Sequence, residues 1–150
     1  MAHTYAKIYI HCVFSTKNHH KTITEDLRER LWSYMGGIAR QNTISILTIG
    51  GIEDHMHLFL SFPPSISISE ALQRIKGGSS HWVHTNFPIR RDFAWQEGFG
   101  AFSVSPCRVE ATIDYIKGQK EHHRKRTFME EYLELLREYG IEYDERYLWG

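Results

Sequence analysis

The alternation of apolar and polar positions changes period several times along the chain, and each change marks an element. KIYIHCVF (Lys7 to Phe14) is rich in β-branched and aromatic residues and predicts a strand. From Thr24 the period lengthens, and Leu27, Leu31, Met35 and Ile38 recur at helical spacing. Thr24 suits the N-cap, and Glu25 and Asp26 suit the positive end of the helix dipole. TISILTIGG and IEDHMHLFLSF return to strand chemistry, and Gly50-Gly51 between them predicts a hairpin. Pro63-Pro64 closes the third strand, and a capping box of Ser67 and Glu70 opens a second helix carrying Leu72, Ile75, Trp82 and Val83. Gly77-Gly78 weakens the middle of that stripe. A fourth strand is expected around Gly98 to Val104, followed by a helix with Ser105 as N-cap and Pro106 in its first position. A last helix starts at a Thr127–Glu130 capping box, carries the stripe Phe128, Tyr132, Leu135 and Tyr139, and stops at Gly140. The order β-α-β-β-α-β-α-α predicts an α+β fold: a ferredoxin-like βαββαβ antiparallel sheet with added C-terminal helices covering its second face.

Composition narrows the class without naming a function. The 150 residues are expected to form one domain, 1–150, with 41% apolar and 24% charged residues, as in an ordinary globular protein. No apolar run approaches a membrane span, and the N-terminus lacks the pattern of a signal peptide. Cys12 and Cys107 have no pairing signature, which suits a reducing cytoplasm. A formal net charge of zero argues against coating nucleic acid by bulk charge. The charge is uneven, however: Lys117, Lys120, Arg124, Lys125 and Arg126 stand against Glu121 alone, ahead of a mostly acidic segment. Such a stripe binds phosphate or is simply a solvated helix face.

The candidate chemistry centres on GIEDHMHLFLSFPP. With 10 His in 150 residues, one His-x-His pair is about what chance supplies, so its setting has to decide. Strand alternation sends Met56, Leu58, Leu60 and Phe62 to one face and His55, His57 and Phe59 to the other. Two imidazoles on one strand face can grip one cation, or they can be surface residues of a half-exposed sheet. On the helix after Pro106, Val109, Ile113 and Ile116 form the buried stripe. Tyr115 and Gln119 are four apart and border that stripe, with Arg108 and His122 on nearly the same line. If this helix crosses the histidine face, neutral ligands leave a divalent cation open positions for phosphate oxygens, as Mg²⁺ or Mn²⁺ uses them. Tyr115 would then attack a phosphate, leaving a tyrosyl ester that conserves the energy needed to reseal a DNA strand.

These residues resemble the HUH single-tyrosine transposases of the insertion sequence 200/605 type, relatives of the REP-associated tyrosine transposases. The resemblance runs through HCVFSTKNHHKTI, GGIEDHMHLFLSFPP, LQRIKGGSSHWV, WQEGFGAFSVS and the segment from Asp114 to Trp149, and so covers nearly the whole chain. It implies that His55, His57 and Gln119 are metal ligands and that Tyr115 is the nucleophile. It further implies a 5′-phosphotyrosine intermediate on single-stranded DNA, recognition of hairpins at transposon ends, and a homodimer in which the tyrosine helix of one subunit serves the partner's histidines. A bacterial or archaeal cytoplasm, on DNA, follows from the same likeness. The sequence departs from the pattern at STKNHHK, where a more arginine-rich loop is expected. Further DNA contacts are expected at Lys17, Lys21, Arg74, Lys76, His81, Arg108 and His122, and stacking on unpaired bases at Trp95 and Phe99.

Other readings remain. The chain can be a domesticated relative that processes chromosomal hairpins. It can be a non-catalytic module binding single-stranded nucleic acid through exposed sheet aromatics. It can also be a zinc protein using His55 and His57 with His81 or His84.

Overall fold

Strand β1 (Ile8–Ser15) is the spine of the sheet, and its alternation sets both layers. It pairs antiparallel with β3 (His55–Phe62) on one side and with β4 (Gly100–Val104) on the other. β2 (Ser45–Gly51) completes the order β2-β3-β1-β4, with every pair antiparallel. This is the expected ferredoxin-like arrangement, described here for residues 3–123 and 125–149 of a computed structural model. Arg124 of the basic stripe lies outside the described residues.

Helices α1 (Glu25–Gln41) and α2 (Ile68–Asn86) cover one face. Cys12, Phe14, Met56, Leu58, Leu60 and Phe62 from the strands bury there against Leu27, Leu31, Met35, Leu72 and Ile75. The residues in between, His11, Val13, His55, His57 and Phe102, face the other way. Over them lie α3 (Val109–Lys117), the short α4 (Gln119–His122) and α5 (Phe128–Glu138). Phe128, Tyr132 and Leu136 close that side against Val13 and Phe102, so neither sheet face is left open for stacked bases.

Several expectations shift locally. The hairpin turn is at residues 52–54, where Ile52 N–H donates to His55 O at 3.1 Å, while Gly50 and Gly51 are paired strand residues. Gly77-Gly78 does not interrupt α2, because a helix packed along one side tolerates glycine. Gly78 instead lets α1 close in: a methyl there would come within 2.8 Å of Ile38 Cδ1. Ser105-Pro106 opens a single 3₁₀ turn (Pro106–Arg108), and α3 begins at Val109. The helix expected to run on through Gln119 is broken at Gly118. Helix α5 is rotated from the expected stripe: Leu136 is buried, while Tyr139 lies past the helix end and donates to Ser103 O at 2.9 Å. The Thr127–Glu130 capping box forms in full. At Ser67 only half of it does, since Glu70 turns to Arg74.

Trp95 is a core residue, edge-on to Phe14 and Phe93 at 4.9 Å, with its indole N–H on Ser79 Oγ. Lys76, half-buried on α2, donates to the carbonyls of Gln96, Glu97 and Gly98 at 2.7, 3.2 and 2.6 Å. It thereby pins the segment that enters β4.

Gly50 fixes the height of α3 above β2, since a Cβ there would lie 2.4 Å from the Ile116 carbonyl oxygen. Gly50→Ala must therefore lift α3 or bend β2. It is expected to cost about 1–3 kcal/mol in urea unfolding, the usual scale for overpacking.

Candidate active site and metal centre

The backs of His55 and His57 are anchored by Met56 and Leu58 in the main core, so strand alternation forces both imidazoles into the second layer. Both are fully buried rather than surface residues. What seals them is Glu131 on α5, itself fully buried. Its Oε1 lies 3.1 Å from His57 Nε2, 3.6 Å from His55 Nε2 and 3.2 Å from His123 Nε2. Its Oε2 takes the Tyr115 hydroxyl and, at 3.2 Å, the Gln119 amide N–H. Gln119 Oε1 lies 3.0 Å from His55 Nε2 and 2.9 Å from His123 Nε2. Arg126 donates to the Tyr115 oxygen at 3.2 Å and pairs with Glu134.

The structure thus brings His55, His57, Tyr115 and Gln119 together within one chain, with Tyr115 5.9 Å from His57, ring to ring. His122 joins at the edge, stacked on Tyr115 at 4.8 Å. Arg108 lines the adjoining cavity of about 560 Å³ beside His11, Tyr115, Arg126 and Glu131. Lys17 and Lys21 are exposed in the loop after β1. Arg74 and Lys76 lie on α2, behind the sheet, where Arg74 bonds Asn42 and Glu70. His81 and His84 are also on α2, and His84 is spent on the Phe93 carbonyl, so the zinc set with His55 and His57 does not form.

The electrostatics follow from burial. Desolvation holds the His57 pKa below its ordinary value against the opposing pull of Glu131, so the imidazole is neutral. His11 is pushed down to about 3, by burial first and then by His57. Burial works to raise the Glu131 pKa, but hydrogen bonds from His123 and His57 overcome it and hold the carboxylate ionised. Tyr115 is pushed up, by burial and then by the Glu131 charge, so its phenol keeps its proton at rest. Two imidazoles and a carboxylate are a suitable donor set for a divalent metal ion. Among the described residues, His55, His57 and Glu131 form a group with ligand atoms all within 4.8 Å of one another.

Glu131, His11 and His123 join the cluster without a motif that singles them out in the sequence. Glu131 stands three residues after Phe128 and four before Leu135, so it sits in the apolar stripe, which was the available signal. His11 alternates with the core residues Ile10 and Cys12, which sends it to the histidine face.

The family model for IS200-like transposases matches residues 4–119, a span that includes both histidines, Tyr115 and Gln119. The chain belongs to the IS200-like transposase family. It is a transposase and, with that family, a DNA-cleaving enzyme. It is 26% identical over 129 residues to the transposase of insertion sequence IS200 from Salmonella typhimurium, covering 83% of this chain and 84% of that one. It is 26% identical over 97 residues to the ISDra2 transposase TnpA of Deinococcus radiodurans, covering 65% and 68%. A Deinococcus radiodurans crystal structure described as a transposase superposes with a TM-score of 0.66 at 20% identity, over 78% of this chain and 96% of that one. A REP-associated tyrosine transposase bound to a REP hairpin superposes at 0.58 and 17%, over 77% and 68%. Both share the fold. Among the described residues no helix is long and apolar enough to cross a membrane.

The pKa shifts give the metal-free protein a defined acid response. His11 and His57 bind protons more readily unfolded, so the stability they confer is complete above 6.5 and is lost as pH falls below it, toward about 3 for His11. The depressed Glu131 adds a loss that starts below 4.5. In chelator, the urea midpoint should drop between about pH 7 and about pH 4, and His11→Phe should make the drop shallower.

Proposed function

We propose that this transposase, acting as one domain, cuts and rejoins single-stranded DNA at hairpin-marked element ends through a 5′-phosphotyrosine formed by Tyr115. The carrying observation is that the Tyr115 hydroxyl, the Glu131 carboxylate and the His55–His57 pair share one buried cluster. The partner assignment draws support from the fold shared with the hairpin-bound REP-associated enzyme. His55, His57 and Gln119, the ligand set implied by the resemblance, would hold Mg²⁺ or Mn²⁺ together with Glu131. When bound, the ion supplies Lewis-acid polarisation of the scissile phosphate.

The chain's own residues do the rest. Glu131 Oε2 receives the Tyr115 hydroxyl bond and aims the oxygen, and Arg126 beside that oxygen offsets the negative charge that grows as the proton leaves. The Tyr115 Oη–P bond forms, the P–O3′ bond breaks, and the proton given up by the phenol is balanced by the one the leaving 3′ oxygen takes up from solvent to depart as a hydroxyl. Rejoining is the reverse attack by a 3′-OH, so no external energy source is needed. Lys17, Lys21, Arg108 and His122 are the candidates for contacts along the strand, with Arg74 and Lys76 reached only by DNA that wraps to the far side. The setting would be a bacterial or archaeal cytoplasm.

A homodimer exchanging tyrosine helices is the arrangement implied by the resemblance, whereas the geometry described here pairs Tyr115 with its own histidines. Mixing Tyr115→Phe with His57→Ala separates them: restored cleavage means exchange, and none means each chain acts alone. For the reaction itself, single-stranded DNA bearing an element end, with Mn²⁺, should give a covalent adduct on a denaturing gel. EDTA and Tyr115→Phe should each abolish it, and an undiminished adduct with Tyr115→Phe would overturn the nucleophile assignment. DNA binding unchanged in EDTA with no adduct under any condition would favour a binding module.

A further inference from the structure

The two strand imidazoles among the three that face Glu131 do so through the same atom. His55 and His57 each turn Nε2 toward Glu131 Oε1. Each therefore has an outer nitrogen, Nδ1, pointing away from the centre, and each outer nitrogen has a partner. His55 Nδ1 lies 2.8 Å from Asp54 Oδ1. His57 Nδ1 lies 2.7 Å from Nε2 of His11 on the neighbouring strand. A neutral imidazole carries one proton, so a ring that binds a cation through Nε2 must keep its proton on Nδ1. In a fully buried site that N–H needs an acceptor.

We propose that His11 is a positioning residue of the metal centre: it accepts the Nδ1 proton of His57 and holds that ring with Nε2 aimed at the cation, as Asp54 does for His55. The inference rests on the metal reading given under Proposed function. With a cation at Nε2 of His57, it assigns His11 a tautomer, with its own proton on Nδ1 and Nε2 free to accept; in the metal-free protein, where His57 donates from Nε2 to Glu131, the His11–His57 bond runs the other way. His11 is well placed to hold the bond. It is buried, stacks on His57 with ring centres 5.0 Å apart and planes at 23°, and is flanked by Phe102 and Tyr115 at 6.2 and 6.3 Å. It is diagonal to His57 across the β1–β3 pair, the reach at which a ring on one strand meets a ring on the next. Its Nε2 faces His57 and not the cation, so it is a support for a ligand and not a ligand.

The test is Mn²⁺ affinity of the full chain, read from the free-ion electron paramagnetic resonance signal, for wild type, His11→Leu, His11→Gln and His57→Ala. Thermal melts in EDTA verify folding. His11→Leu should bind Mn²⁺ about 10–100-fold more weakly, the usual effect of removing a ligand's outer hydrogen-bond partner. His11→Gln, whose amide oxygen can take the same proton, should bind close to wild type, and His57→Ala should bind worst. Equal affinity for His11→Leu and wild type would overturn the role. So would a loss that His11→Gln does not recover, since that would mean packing alone. A wild-type chain that binds no Mn²⁺ would overturn the metal reading and this proposal together, an outcome distinct from both.

Discussion

A single buried carboxylate organises this enzyme. Glu131 is removed from water on a helix that is otherwise amphipathic, and an isolated ion in such a place is strongly unfavourable. It is tolerated because each oxygen is fully engaged: Oε1 with imidazole nitrogens, Oε2 with the Tyr115 hydroxyl and the Gln119 amide. The same bonds tie α5 to the sheet and to the tyrosine segment. The carboxylate is thus at once a group of the potential metal-binding cluster and the acceptor of the Tyr115 hydroxyl bond.

That arrangement divides the labour of the sheet between its faces. The α1–α2 side is apolar, and the polar side chains nearest to it serve local structure, as Lys76 does in pinning three carbonyls. The α3–α5 side carries nearly all the chemistry, ringed by Phe128, Tyr132 and Phe102, which keep solvent from the histidines. Placing the reactive groups between a rigid sheet and packed helices suits a reaction that depends on positioning. Open access comes at the Tyr115 side, where the cavity is lined by Arg108 and Arg126 as well as by Glu134 and Glu138.

The match to the IS200-like family stops at residue 119, before α5 begins. The elements within the match supply the histidines, the tyrosine and the glutamine. The segment beyond it supplies Arg126 and Glu131, which complete the cluster around the tyrosine oxygen. In this chain the C-terminal helix is therefore part of the centre and not only a cover for the second sheet face.

Much was legible along the chain because it depends on local periodicity. Alternation alone put His55 and His57 on one strand face, and helical spacing put Tyr115 beside Gln119. The capping residue Thr127 marked the start of the last helix, and the succession of elements gave the ferredoxin-like order. What periodicity could not supply was depth and distance between elements. The pair Tyr115–Gln119 survives a break at Gly118 that spacing alone does not report, and Gly50 is a strand residue under Ile116 rather than part of the turn. Spacing can place Glu131 beside the apolar stripe, but only the packing of α5 on the sheet turns it onto the histidines. His11 is one polar position in a strand, and the β1–β3 register brings it to His57. Sequence settles which face a side chain leaves from. Only the tertiary structure decides what it meets there, because burial and hydrogen-bond partners depend on elements far apart in the chain.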